Sequence, residues 1–529
     1  MISPRLLLSF LLALPIPALA TPGDLSAYLR ARAADADGRG EAAAHDYAVA
    51  LAAAPDNVLV AIRAYREGLD VGDLPLVDRA AATLARAGVS PGDAALQPLA
   101  AAARANDAGA ARAALTDLAR GPLAPLVPAL SAIVAFADHR DPFPALDATA
   151  ADPVSRRVVA ETRALLLIES GRADEGVAVV QASTGSINGN PELRFDAAQA
   201  LAERGRVDQA RAIIAGDDPV LARLRQTLGR GVRPSLGHDI SRFYTRLAVA
   251  IAGGEPSPLV VALARAALRS DPGNDRARVL LADELTRRGA YPRALALLEA
   301  VDAGGPYAGV ARTSRVSVLA ASGNTAATLI AARPLAARAD ATPYDIQRYG
   351  EQLLAAGRAD EAATQYRRVV AASPQAYDVW LQYGGALDQA HRWPEARAAL
   401  ERAVALGADE PQALNYLGYA RIEHGEAVAA SEVMLEHAAR LRPDDASITD
   451  SLGWAYVQRG QLARALPLLE RAAEGEPTNE TIAEHLGDAY WATGRRYEAR
   501  YAWRAAALVA NAGDAPRLTG KIAHGPEKR

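Results

Sequence analysis

The chain has 529 residues, half of them apolar but only 5% aromatic, with a formal net charge of −4 and a pI near 6.1. That length exceeds what one compact core supports, so several domains or one extended array are required. The charge balance provides no surface for polyanions, so no nucleic-acid partner is expected, and the alanine-rich, aromatic-poor mixture favours close-packed helices over a sandwich or barrel.

The first twenty residues read MISPRLLLSFLLALPIPALA. Arg5 makes a positive start, Leu6–Leu14 an apolar run, and Ala18-Leu19-Ala20 a small-residue cleavage site, which predicts a signal peptide over 1–20 cut after Ala20. About 15 apolar residues broken by Pro15 and Pro17 are too few for the ~20 of a bilayer span. No later segment is apolar for long enough, so no transmembrane segment is expected. The chain has no cysteine, which removes disulfides, thiol nucleophiles, thiolate metal sites and a lipid-bearing cysteine. A bacterial periplasm is the expected location, with secretion as the alternative.

From Asp24 onward a 34-residue period organises the chain. Units begin at Asp24, Val58, Arg157, Pro191, Ser241, Asp275, Gly309, Pro343, Tyr377, Pro411, Ala446 and Glu480. In these twelve units place 15 is glycine ten times, where the chain's glycine content would put about one. Such a glycine ends a first helix by taking the left-handed conformation. Small residues at places 8, 20 and 27 let helices approach closely, larger ones at 7, 11 and 24 fill the seams, and proline near place 32 stops a second helix. Ordering 34 residues costs about 50 kcal/mol, more than one helix pair recovers, so units must share a core with their neighbours.

On these residues the chain resembles tetratricopeptide repeat (TPR) proteins. The resemblance implies an all-α fold: an α-solenoid of roughly 14 helix–turn–helix units forming a right-handed superhelix. It is strong from Asp275, moderate before Gly216 and weak around 91–153, where there is room for two degraded units. The expected organisation is an N-terminal block over 21–218, an interrupting segment and hinge over 219–240, a C-terminal block over 241–512, and a loose polar tail over 513–529.

Motifs for chemistry are missing. The eight histidines form no pair at metal-ligand spacing and read as solvated or helix-capping, and no phosphate-cradling GxxxxGK[ST] loop occurs. Neither a catalytic residue, nor a metal, nor a cofactor is expected. Asp138-His139-Arg140-Asp141 is the polar cluster that a hydrolase hidden in the weak segment would need, and it reads as a turn.

What remains is surface. In TPR stacks the first helices line the concave face, and the resemblance implies that places 2, 5, 9 and 12 point into it. That puts Asn415, Tyr419, Asp450, Trp454, Glu484, Asp488 and Trp491 on a groove for segments of other proteins. Trp454 and Trp491 are equally suited to packing between units. The basic residues of TPR domains that clamp chaperone carboxyl termini are missing around Asn415.

The stretches LNYLGYA, DSLGWAY, EHLGDAYW and GRRYEA resemble TPR proteins of the Gram-negative envelope. Some of these are adaptors that dock substrates onto carboxyl-terminal processing proteases, and others serve envelope assembly or polysaccharide export. The expectation is a non-catalytic interaction scaffold or adaptor, with a structural component of an envelope machine as the alternative. The oligomeric state stays open.

Overall fold

The computed structural model describes residues 22–147, 153–184, 191–216, 219–228, 234–511 and 513–526. The predicted signal peptide lies outside them. The described residues form α-helices with a single 3₁₀ turn and no strand, and none of their helices is long and apolar enough to cross a membrane. The fold is the all-α TPR solenoid expected.

The period places the helices accurately. First helices Pro343–Ala355, Tyr377–Gln389, Pro411–Glu423, Ala446–Gln458 and Glu480–Ala492 each begin on the first place of a unit. All ten place-15 glycines have φ between +69° and +87°, the left-handed turn that other residues resist. Place 8 is the close approach: a Cβ on Gly453 would stand 2.8 Å from Leu469, and one on Gly384 2.6 Å from Leu400. Leu469 and Leu400 both occupy place 24, so glycine and leucine interlock in these two repeats, and Tyr366 and Trp503 take the same place against Gly350 and Gly487.

The weak segment keeps the same device with other residues. Asn106 (φ +54°) and His139 (φ +57°) take the left-handed turn where glycine stands elsewhere. They join Leu96–Arg104 to Ala108–Leu118 and Val127–Ala137 to the short Phe143–Leu146. Asn and His tolerate this conformation better than most residues. The Asp138–Asp141 cluster is that turn itself, with Asp138 held by Arg112 at 2.7 Å and Arg140 at 2.9 Å.

Of the interrupting segment expected over 219–240, residues 229–233 lie outside the described residues, and helices flank them. Pro219–Thr227 is helical, and Leu236–Ile251 starts five residues before its predicted unit, capped by the Ser235 hydroxyl accepting from the His238 amide. The chain divides into two compact units after Gly323, in the turn of one repeat. Helices Leu236–Ile251 and Pro258–Ser270 belong to the core of the first unit, with Ile240, Phe243 and Tyr244 buried among Leu96, Leu99 and Leu130.

In unit 1 these two helices fill the side where first helices would otherwise stay open. They pack on Val58–Val71, Leu96–Arg104, Val127–Ala137 and Pro191–Glu203. Polar groups specify the fit. Gln97 donates to the Ala262 carbonyl at 3.2 Å, and buried Arg265 donates to the Leu69 and Asp70 carbonyls at 2.9 and 2.8 Å. Those carbonyls end a helix, where a cation is favoured; burial still pulls the Arg265 guanidinium down to about 10. Arg242 and Arg246 converge on Asp196, and Arg246 also faces Glu161. Burial pushes the Asp196 carboxyl upward, but the two arginines outweigh it and hold it below its ordinary range.

Unit 2 ends in a correction as well. The expected loose tail contains the helix Ala515–His524, with Leu518 fully buried. It starts one residue after the next 34-residue step, so it stands where a further first helix would. It packs on the last second helix, Arg496–Val509.

Candidate functional site

Within unit 2, neighbouring first helices pack on one another: Tyr377–Gln389 on Pro411–Glu423, that helix on Ala446–Gln458, and that one on Glu480–Ala492. The second helices make no comparable contacts. First helices therefore crowd along one side, as the inner side of a curved stack requires.

The contacts along this side follow one rule. A carboxylate on one first helix accepts from a donor on the next. Asp388 lies 2.9 Å from His424 Nε2, and burial, then the Asp388 charge, raises the Tyr416 phenol beside it. Glu423 accepts from the Trp454 indole nitrogen at 2.8 Å. Asp450 lies 2.8 Å from His485 Nδ1, both side chains buried. Glu484 and Asp488 meet Lys521 at 2.5 and 2.7 Å, and Glu484 also meets Arg517.

Each predicted groove residue now has a place. Trp454 is only 7% exposed and lies flat on His485, ring centroids 4.1 Å apart and planes 8° from parallel. It packs between repeats. Asp450 is buried with it, and one of its oxygens, Oδ1, has no protein partner. Tyr419 is half-buried, 6.0 Å from the His485 ring, and burial raises its phenol. Asn415 is half-buried beside them in sequence register, its Oδ1 likewise without a protein partner.

Glu484 and Asp488 are engaged by the terminal helix. Burial alone would raise the Glu484 carboxyl, but hydrogen bonds from Lys521 and Arg517 hold it below its ordinary value. Trp491 is half-buried, with the Arg496 guanidinium 3.8 Å from its ring centroid and the Trp503 ring at 5.3 Å.

Places 5 and 9 are thus largely consumed by contacts between first helices. The open rows are places 2 and 13. Asp378, Gln412, Ser447 and Thr481 at place 2 are exposed, as are Gln389, Glu423 and Gln458 at place 13. The sequence reading missed His485 and Glu423. His485 is buried and stacked, which departs from the solvated or helix-capping role expected of the histidines. Their signal was the near-period spacing of donor and acceptor, 31 residues for Glu423 and Trp454 and 35 for Asp450 and His485.

Comparison with known proteins agrees with the repeat. Residues 353–422 and 451–516 match two tetratricopeptide repeat family models. A TPR repeat-containing protein of Pseudomonas aeruginosa is 35% identical over 85 residues, a stretch that spans 16% of this chain and 14% of that protein. Among solved structures, a thermophilic TPR protein of Thermus thermophilus is 22% identical, with 35% of this chain and 98% of that one covered at a TM-score of 0.31. A tetratricopeptide repeat protein of Parabacteroides merdae is 14% identical, with 47% and 98% covered at a TM-score of 0.41. PilF of Pseudomonas aeruginosa is 17% identical, with 35% and 85% covered at a TM-score of 0.29. The recurring left-handed turn, the interlocked place-8 and place-24 residues and the two matched stretches together show that the chain carries tetratricopeptide repeats.

Proposed function

We propose that the protein is a non-catalytic scaffold or adaptor of the bacterial cell envelope, and that unit 2 holds a segment of another protein along its first-helix side. One contrast carries this reading. In unit 1 that side is filled by the chain's own helices, whereas in unit 2 the rows at places 2 and 13 are exposed. A surface that folding leaves open in one unit, where folding closes its counterpart in the other, is the surface available to a partner. The signal-peptide pattern at 1–20 supports export, and fusion of those residues to a phosphatase active only outside the cytoplasm tests it.

The groove is tested by placing a photo-crosslinking residue at Gln412 or Gln458 on first helices and at Val433 on a second helix, whose side chain is 63% exposed. The same adduct at both first-helix positions, and none at Val433, is the expected result. An adduct at Val433 alone moves the working surface to the outer side and favours the structural-component reading.

A further inference from the structure

Charge is segregated in unit 2. The four first helices from Tyr377 to Ala492 carry Asp378, Asp388, Glu423, Asp450, Glu480, Glu484 and Asp488 against one cation, Arg421. Arg421 is turned to Glu401 on a second helix, at 2.6 Å. The second helices of the same repeats carry the arginines, mixed with glutamates. In a chain whose net charge is only −4, this is an arrangement by face and not by composition.

The carboxylates are answered differently along the row. Tyrosine, indole and imidazole groups meet Asp388, Glu423 and Asp450, with no lysine or arginine among the described contacts there. At the last rung the answer changes. Arg517 and Lys521, four residues apart on one helix, meet Glu484 and Asp488. The chain itself shows what satisfies this face: a helix with cations at i and i+4, one apolar residue, Leu518, buried beside them.

Resting on the reading of unit 2 as a partner-holding surface, we propose that the partner segment is basic, an amphipathic helix with arginine or lysine at every third or fourth residue. It lies across the Tyr377, Pro411 and Ala446 helices and meets Asp378, Asp388 and Glu423. Asp378 and Glu423 are exposed, and Asp388 keeps 22% of its side chain open. First helices about 9 Å apart make a face of roughly 30 Å, the length of a ~20-residue helix. An acidic face of this kind rejects acidic segments and speeds encounter with basic ones.

The test uses the full chain and a fluorescent peptide of about 20 residues with arginine or lysine every third or fourth place, against a glutamate counterpart. Binding is read by anisotropy. The basic peptide is expected to bind and the acidic one not, with affinity falling several-fold as salt rises from ~50 to ~200 mM, because the Debye length shortens. Asp378→Asn, Asp388→Asn and Glu423→Gln together keep acceptor oxygens for His424 and Trp454 but remove three charges. They are expected to weaken binding by about tenfold, while Glu474→Gln on a second helix leaves it unchanged. Asp378→Asn alone, on an exposed side chain, gives a smaller loss in the same direction if the triple variant folds poorly.

Equal binding of the two peptides, or equal binding to wild type and the charge variants, overturns the proposal. A crosslinked partner at Gln412 whose captured segment is acidic or neutral overturns it too, yet leaves the partner-holding reading in place. Absence of any adduct at the first-helix positions removes that reading itself.

Discussion

Trp454 lies flat on His485 from the next repeat, 4.1 Å between ring centroids, while its indole nitrogen donates to Glu423 on the preceding one. One side chain therefore joins three first helices. Trp454→Ala opens a cavity between three first helices and removes the indole donor of Glu423, so we expect a loss of ~3–5 kcal/mol. Trp454→Phe keeps the stack and loses one hydrogen bond, at ~1 kcal/mol. All five tryptophans, from Trp380 to Trp503, follow Gly323, so fluorescence of the remaining four reports unit 2 during urea unfolding. An unchanged midpoint in Trp454→Ala would contradict the packing role.

Asp196 is the buried centre of the contact that fills unit 1. Replacing it with alanine removes the carboxylate that buried Arg242 and Arg246, 11% and 4% exposed, share, and leaves Arg246 its longer contact with Glu161. Breaking a buried pair in this way costs ~3–5 kcal/mol. The loss should shift the early part of the circular-dichroism unfolding curve and leave the tryptophan transition of unit 2 in place. A shift of both transitions together would contradict the division after Gly323.

Glu67 gives unit 1 a pH dependence with a defined sign. Burial, then the charges of Asp70 and Asp35, push its carboxyl up to about 7 against the pull of Arg293. The folded form holds a proton that the unfolded chain has already released, so stability from this group falls as pH rises from its ordinary value, ~4.3, through about 7. Glu67→Gln cannot ionise. Its urea midpoint should fall less than that of wild type between pH 5 and about 7.5, followed by amide exchange in Val58–Val71. A steeper fall in the variant would reverse the assignment.

How much of this was legible beforehand follows from what sets each feature. The turn at place 15 is a local backbone requirement, so glycine reported it directly, and first-helix starts such as Pro411 and Glu480 fell on the period. Asn106 and His139 do the same work without the signal, so their repeats looked degraded. The filling of unit 1 was not legible. It depends on Arg265 reaching Leu69, 196 residues away, and no short-range pattern encodes that. Within the interrupting segment expected over 219–240, Leu236 begins a helix whose Ile240, Phe243 and Tyr244 are buried in the core, which the local composition did not signal. The tail misled through its polar composition, although Leu518, Arg517 and Lys521 continue the repeat by one more helix. In the groove, Trp454 and Trp491 drew attention as large aromatics, but size favours burial between helices. The acidic bias of the first helices was readable place by place and needed only the period to reveal it.

Whether the first-helix side of unit 2 is the working surface is decided best by hydrogen exchange of the full chain with and without the basic peptide. Added protection is predicted in Tyr377–Gln389, Pro411–Glu423 and Ala446–Gln458, with Leu236–Ile251 and the second helices unchanged. Protection confined to second helices, or to unit 1, would contradict it.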